Sequence, residues 1–389
     1  MVVAPSQPLM RNVDAAGLGI GDDYPPRIMG VLNVSEESPY EPSVFDDPGE
    51  AAAYVDEDLI GEGADIVDVG LESANKRFEV LSAEEELDRL DTAVEAIQSV
   101  TGDAVFSIET RYHEVAEAAL DAGFDMVNDI CGFADPEMPR VCAERDVAVV
   151  KMASPPDLAR PGAVEAVDDI YDALEREGLT DKTIVDPAFG GWSEAKTLDD
   201  DRETFRRLRE FRALDRPILV SINRKNFLRD IAGRSTEEAL PVSLAATSMA
   251  VERGAHVIRT HDVAETRDAA LVGNAFARER LRSTDDVAVE ELDVTTVGEM
   301  ERHLDRLDGT AAAARRGVGR VFELSGLSLA ERDMLADAAR STPVTVTGGE
   351  SDRRLLVGTP ADLDGIVEAA TGRSDALDAA LAAIGESIE

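Results

Sequence analysis

Short apolar runs recur along the chain, and most of them stop on a polar residue. Such runs are centred near residues 30, 67, 107, 127, 149, 185, 220 and 258. They deliver, in order, Asn33, then Gly70 and Glu72, then Glu109, then Asn128 and Asp129. After a fifth run at 147–152, the later ones deliver Asp186, then Asn223, Arg224 and Lys225, then Arg259 and His261. Between the runs the apolar spacing changes to that of a helix. Ser82 and Glu85 spell a capping box, followed by Leu87, Leu90, Val94 and Ile97 on one stripe. Val115, Ala119 and Ala122 do the same in a short helix that Gly123 closes. Phe205, Leu208 and Phe211 line another helix before the Arg216-Pro217 pair.

Continuously apolar strands that alternate with helices predict a parallel sheet covered on both faces. Eight such units, with polar groups at nearly every strand end, predict an α/β fold of the closed (β/α)8 type. An open sheet gathers its ligand mainly at one switch point. The barrel is expected over residues 26–282, after an N-terminal arm of residues 1–25 without a clear period. Residues 283–389 predict a smaller α/β domain, expected to dock or oligomerise. It reads as strand 287–294, helix 297–315, strand 318–324, helix 328–340, strands 344–346 and 354–357, and two more helices.

Composition narrows the setting. The net charge is -41, from 80 acidic and 39 basic residues, and only five of the basic residues are lysines. Such a surface stays hydrated where salt screens charge within about 3 Å at 1 M, and predicts adaptation to a salt-rich cytoplasm. No basic patch exists to neutralise phosphates, which argues against a nucleic-acid partner. In a chain this poor in lysine, Lys225 at a strand end stands out. Two cysteines, Cys131 and Cys142, are too few for a disulfide framework, and buried thiols are expected. There is no basic segment leading into an apolar leader, and no apolar run near the ~20 residues of a membrane span, so a cytoplasmic protein is expected.

Converging carboxylates and carboxamides suit a flat heterocycle with ring N–H and amino donors. Asp186 and Asn128 can pair with such a ring, and Lys225 with its carbonyl oxygen. Arg259 and His261, two residues apart, suit an anionic group together with Asn33.

The chain resembles the dihydropteroate synthases, pterin-binding (β/α)8 enzymes. The resemblance rests on MGVLNV (29–34), GADIVDVGLES (63–73), SIET (107–110), NDICG (128–132), IVDPAFG (184–190), RPILVSINRKNFL (216–228) and GAHVIRTHDV (254–263), in family order over about residues 27–281. With its acidity and extra C-terminal domain, the chain is similar to a halophilic archaeal member. The resemblance implies condensation of a 7,8-dihydropterin-CH2-diphosphate with p-aminobenzoate or a related aminobenzene, releasing pyrophosphate. It implies Asp186, Lys225 and Glu109 as catalytic groups, with Glu109 at the family's aspartate position. It implies Asn128, Asn33, Arg259, His261, Phe189 and Asn226 as substrate-binding groups, Asn33 as a ligand of Mg2+, and a homodimer.

Two loops depart from the family pattern. The first reads Asn33-Val-Ser-Glu-Glu-Ser-Pro-Tyr-Glu41 and lacks the usual Gly pair. In the second, Ala74 and Asn75 stand where a Thr and an Arg help bind diphosphate and aminobenzoate, with Lys76 and Arg77 next to them. Asn226 replaces the usual Ser after the lysine. The pterin half is kept and the acceptor half altered, which leaves a different acceptor open, such as a ribosylated one. Two alternatives stand beside the synthase: a pterin-dependent methyltransferase of the same superfamily, and a non-catalytic pterin-binding paralogue. Arg259-Thr-His261 favours the synthase, since a methyltransferase has no pyrophosphate to bind.

Overall fold

The computed structural model describes residues 12–35, 43–72, 80–158, 162, 164–190, 195–277, 281–283, 288–348 and 353–388. The chain divides into two compact units, Met1–Glu290 and Glu291–Glu389.

In the first unit a hairpin, β1 (Val13–Ala15) and β2 (Leu18–Ile20), precedes the barrel strands. These are β3 (Arg27–Asn33), β4 (Ile66–Gly70), β5 (Val105–Thr110), β6 (Met126–Asp129), β7 (Ala148–Met152), β8 (Thr183–Asp186), β9 (Leu219–Val220) and β10 (Val257–Thr260). All pair in parallel in the order β8-β7-β6-β5-β4-β3-β10-β9. A parallel bridge from Val185 to Ile218 joins β8 to β9 and closes the barrel. The helices are α1 (Pro48–Tyr54), α2 (Ala83–Ser99), α3 (His113–Ala122), α4 (Glu137–Glu144), α5 (Val167–Glu175), α6 (Leu198–Arg206), α7 (Asn226–Ala232), α8 (Leu240–Glu252) and α9 (Val263–Phe276).

Local chemistry sets their ends. Ser82 and Glu85 form the expected capping box on α2, and Thr197 with Asp200 forms another on α6. Gly123, with φ of 115°, ends α3 in the left-handed conformation that glycine adopts at least cost. Strand alternation splits the barrel core in two. Val67, Val69, Ile108, Val127 and Val185 face the helices. Met29, Ile66, Met126, Ile184 and Leu219 fill the barrel's lower interior.

The N-terminal segment departs from the expected featureless arm, since residues 12–25 carry the hairpin. Val13, Ala15 and Ile20 pack against the lower interior residues. Asp22 bonds His256 Nε2 at 2.9 Å and Arg212 Nη2 at 2.8 Å. Burial opposes ionisation of Asp22, but the His256 hydrogen bond and the Arg212 charge hold it well below the usual carboxylate range. The hairpin is a floor for the barrel, too short to register as a sequence period.

The first unit ends in a second hairpin, β11 (Leu281–Ser283) and β12 (Ala288–Glu290), so the strand expected over 287–294 is only three residues long. The second unit holds α10 (Val297–Arg306), α11 (Ala314–Gly317), β13 (Arg320–Leu324), α12 (Leu329–Ala339), β14 (Thr345–Thr347), β15 (Arg354–Gly358), α13 (Pro360–Ala370) and α14 (Asp375–Ile388). The helix expected over 297–315 breaks. Asp308 turns left-handed at φ 55°, and Gly309 N–H donates back to Leu304 O at 2.7 Å. The sheet is antiparallel, ordered β13-β15-β14, and Leu335, Leu356, Leu363, Leu377 and Leu381 form its core.

Candidate active site

Strand parity decides which strand-end residues meet. Asn33 lies level with Gly70, Gly70 with Glu109, and Glu109 with Asn128 across β3 to β6. Two residues below Gly70, on the same inward parity, sits Asp68, which is fully buried. It organises the interior. Asp68 Oδ2 accepts from Asn128 Nδ2 at 2.9 Å and from Arg259 Nε at 2.7 Å. Arg259 Nη2 donates to Glu109 Oε2 at 2.6 Å. One guanidinium thus spans two carboxylates contributed by different strands. Burial alone would lower its pKa, but Glu109 and Asp68 outweigh burial and hold it well above its usual range.

The carboxylates are shifted as well. Burial pushes Glu109 up to about 7 against the pull of Arg259. Burial pushes Asp186 up to about 6, although its Oδ1 accepts from Ala188 N–H at 2.8 Å and Lys225 is nearby. Burial also lowers the Lys225 ammonium, with Asp186 opposing. Shifts of this kind, concentrated at the strand ends of a barrel, mark a candidate site. His261 is pushed down to about 3 by burial and by the charge of Arg259, so its imidazole is neutral at physiological pH.

Glycine shapes this mouth at two points. A Cβ on Gly70 would lie 3.3 Å from Asn33 Oδ1 and 3.7 Å from Glu109 Oε1, so the bare backbone lets these oxygens approach one another. Asn33 Nδ2 is engaged by Ser43 Oγ at 2.8 Å, which fixes the orientation of the amide. A Cβ on Gly190, at φ 102°, would press on the Lys225 stem at 3.0 Å.

Several sequence-predicted residues lie elsewhere. Asp129 is on the outward parity of β6, and its carboxylate accepts from Cys131 N–H at 2.7 Å and Phe133 N–H at 2.9 Å, so it holds the following turn. Phe189 is buried in an aromatic cluster, 5.7 Å from Phe227 and 6.1 Å from Phe205 between ring centroids. Asn226 is exposed and accepts from Arg229 Nη1 at 2.9 Å within α7. Phe189 thus packs beside Gly190, whose backbone lies against the Lys225 stem, and Asn226 opens α7 directly after Lys225. Glu72 is an anchor for Arg111, at 2.7 Å. The altered stretches Glu36–Glu41 and Ala74–Arg77 lie outside the described residues.

Three residues that sequence reasoning passed over now matter. Asp68 was hidden inside an apolar run, although its shared parity with Gly70 marks it as inward. Arg111 is fully buried, donates to Leu81 O at 2.8 Å and faces Glu72. The Lys196 side chain is buried, donates to Ala188 O at 2.7 Å and pairs with Asp201 at 3.5 Å, steadying the segment after Asp186. Lys151 is buried too, so scarcity alone did not single out Lys225. Both cysteines are buried, and burial pushes the Cys142 thiol up to about 12.

His113, Glu114 and Asp135 bring three potential metal-ligand atoms within 4.8 Å of one another. Asp135, however, already accepts from His113 N–H and Nδ1 and from Glu137 N–H. The trio ties together the loops after β5 and β6.

With this geometry in place, comparison decides the family. The pattern of the pterin binding enzymes matches residues 29–261. The chain belongs to the pterin-binding enzyme family. A probable bifunctional folylpolyglutamate synthase/dihydropteroate synthase of Haloferax volcanii is 36% identical over 269 residues, covering 65% of this chain. This chain spans only 31% of that relative's length. The dihydropteroate synthase of Bacillus subtilis is 31% identical over 243 residues, covering 61% of this chain and 83% of that one. Among solved structures, the dihydropteroate synthase of Thermus thermophilus in complex with 4-aminobenzoate aligns with a TM-score of 0.57 at 29% identity. The alignment covers 68% of this chain and all of that one. A Xanthomonas albilineans dihydropteroate synthase in complex with 7,8-dihydropteroate aligns at 0.55 and 30%, covering 68% and 98%. The matched region is the pterin-binding (β/α)8 barrel.

Proposed function

We propose that this protein is a dihydropteroate synthase-like transferase, joining a 7,8-dihydropterin-CH2-diphosphate to p-aminobenzoate or a related aminobenzene in folate biosynthesis. The observation that carries the reading is the inward set Asp68, Glu109, Asn128, Asp186 and Arg259, gathered by strand parity, with Lys225 brought beside them by the turn after β9.

The chemistry follows from charge. Asp186 accepts pterin N–H donors, Asn128 pairs with the ring edge, and Lys225 donates to the ring carbonyl. The bond from methylene carbon to diphosphate oxygen breaks with both electrons leaving on oxygen. Positive charge then develops on the methylene-pterin unit, and the buried Asp68 and Glu109 carboxylates favour it electrostatically. Arg259 and neutral His261 donate hydrogen bonds to the departing pyrophosphate. Nε and Nη2 of Arg259 hold Asp68 and Glu109, and Nη1 reaches the phosphate oxygens. The amine nitrogen forms the new C–N bond and releases a proton to solvent, so no strong base is required.

The Asn33 amide oxygen and the Glu109 carboxylate, brought close by Gly70, are hard oxygen donors that fit Mg2+. Bound with the diphosphate, the ion would neutralise leaving-group charge.

The setting follows the same reading. The surplus of 80 acidic over 39 basic residues supports a salt-rich cytoplasm. No helix among the described residues is long and apolar enough to cross a membrane. Met249 on α8 and Leu271, Val272 and Phe276 on α9 are exposed, Phe276 by 79%, which supports a homodimer through this helix pair.

Pyrophosphate release from the pterin diphosphate, measured in high KCl with and without p-aminobenzoate, tests the reading. Release that depends on the amine is expected. Pterin binding without release would favour the non-catalytic paralogue. Failure to bind pyrophosphate, together with methyl transfer from a methylated tetrahydropterin, would favour the methyltransferase.

A further inference from the structure

The groups assigned to the two ends of the pterin diphosphate sit on different loops. Lys225 follows β9, whereas Arg259 and His261 lie at the end of β10. Between these loops runs a partly buried ionic tie that the proposed chemistry does not use. Arg224, immediately before Lys225, donates from Nε to Asp262 Oδ2 at 2.8 Å and from Nη2 to Asp262 Oδ1 at 2.8 Å. Asp262 immediately follows His261. This is a fork-to-fork pair, which fixes orientation as well as distance. Its side chains are 14% and 13% exposed.

Neighbouring contacts reinforce the pair from three sides. Asn223 Nδ2 donates to Asp262 Oδ2 at 2.8 Å. Arg224 Nη1 donates to Thr236 O at 2.8 Å and Glu237 O at 2.9 Å, ahead of α8. The Arg224 N–H donates to Ser243 Oγ on α8 at 2.8 Å. Arg224 itself has a φ of 53°, a left-handed conformation that is uncommon for a residue with a side chain and persists where surrounding contacts over-determine it.

We infer that Arg224 and Asp262 are positioning residues, a brace that sets the Lys225 loop against the Arg259–His261 loop at the separation a pterin diphosphate spans. The inference rests on the proposed synthase reading. Neither residue touches the substrate. Each loop keeps its own donors without the brace, but the two cease to be aligned. A ligand that bridges both loops gains from alignment, whereas a ligand held by one loop does not. A misplacement near 1 Å between positioning groups costs about 100-fold in rate.

The test uses the full chain, with Arg224→Lys and Asp262→Asn. The first keeps the charge but loses the fork, and the second keeps the shape but loses the charge. Calorimetry in high KCl with Mg2+ compares three probes: 6-hydroxymethyl-7,8-dihydropterin, inorganic pyrophosphate, and the pterin diphosphate. Affinity for the pterin diphosphate should fall about 10- to 100-fold in both variants, while each fragment changes less than about threefold. A general loss of structure would weaken all three alike. Equal losses, or none, would overturn the brace. So would failure of both variants to fold, since the pair would then be a folding element. A wild type that binds none of the three probes would instead overturn the synthase reading beneath it.

Discussion

The two units use the same kinds of residues to opposite effect. In the barrel every strand runs the same way, so all C-terminal strand ends open on one rim, and inward side chains from β3 to β10 meet there. Asp68, Asn128, Asp186 and Glu109 are drawn from four strands, and Arg259 from a fifth. In the second unit β13 and β14 each pair antiparallel with β15, so neighbouring strands end at opposite edges of the sheet. Its sheet covers one face with Leu335, Leu356 and Leu363, while Val321, Leu355 and Val357 stay exposed on the other. Its buried carboxylate, Glu299, accepts from Thr295 N–H at 2.9 Å at the start of α10. Topology, more than composition, separates the candidate site from the second unit here.

The largest effect should come from the inward cation. Lys225→Ala should reduce kcat/KM for the pterin diphosphate by about 1000-fold, or some 4 kcal/mol of transition-state stabilisation. Its circular dichroism should be unchanged. A comparable loss from any single charge reversal in the second unit would dissolve the contrast between the units.

Next in size is Arg259→Met, which leaves Asp68 and Glu109 buried without their partner. A loss of about 3–5 kcal/mol in stability is expected near neutral pH, as for breaking any buried ion pair. It should shrink at lower pH as Glu109 takes up a proton. Affinity for the diphosphate should fall more than affinity for the bare pterin. Equal losses would assign Arg259 a purely structural role.

The third prediction concerns Asp186. Burial raises its pKa from 3.8 to about 6, so the folded state binds the extra proton between those values. Its contribution to stability is complete below pH 3.8 and is lost as pH rises through about 6. Asp186→Asn should therefore gain stability relative to wild type on going from about pH 5 to about pH 8, by roughly 1–3 kcal/mol, while losing pterin affinity. Urea unfolding at the two pH values gives the sign. A pH-independent difference would mean that the carboxylate is not desolvated as described.

Much of this barrel was legible in its sequence because parallel strands buried on both faces must be continuously apolar, and because polar residues ending them have few structural reasons to be there. The same logic misled where a charge sat inside the run. Asp68 sits unremarked inside the run between Ile66 and Val69, yet counting by twos from Gly70 places it on the inner face. Counting by twos also removes Asp129, which ends the same run as Asn128 but faces outward. Resemblance alone nominated Phe189 and Asn226, and their local contacts, an aromatic cluster and an Arg229 hydrogen bond, are invisible to a linear reading. The Arg111–Glu72 pair and the Arg224–Asp262 brace join residues 39 and 38 positions apart, as do most contacts that fix geometry rather than fold. The floor hairpin was missed because three-residue strands are too short to show a period.

A smaller effect should come from salt. Both units share the acidic surface, so self-repulsion at -41 should raise the melting temperature as KCl goes from about 0.1 M to about 2 M. A flat or falling curve would reject adaptation to salt.

The contrast between the units is tested most directly by cutting between them. A chain ending at Glu290 keeps β11 and β12 together with every inward residue named above. In high KCl with Mg2+, amine-dependent pyrophosphate release by this fragment should match the full chain within about twofold, since no catalytic group is assigned beyond the barrel. If the fragment stays folded by circular dichroism and release is lost, the second unit completes the site, and a barrel sufficient by itself is contradicted.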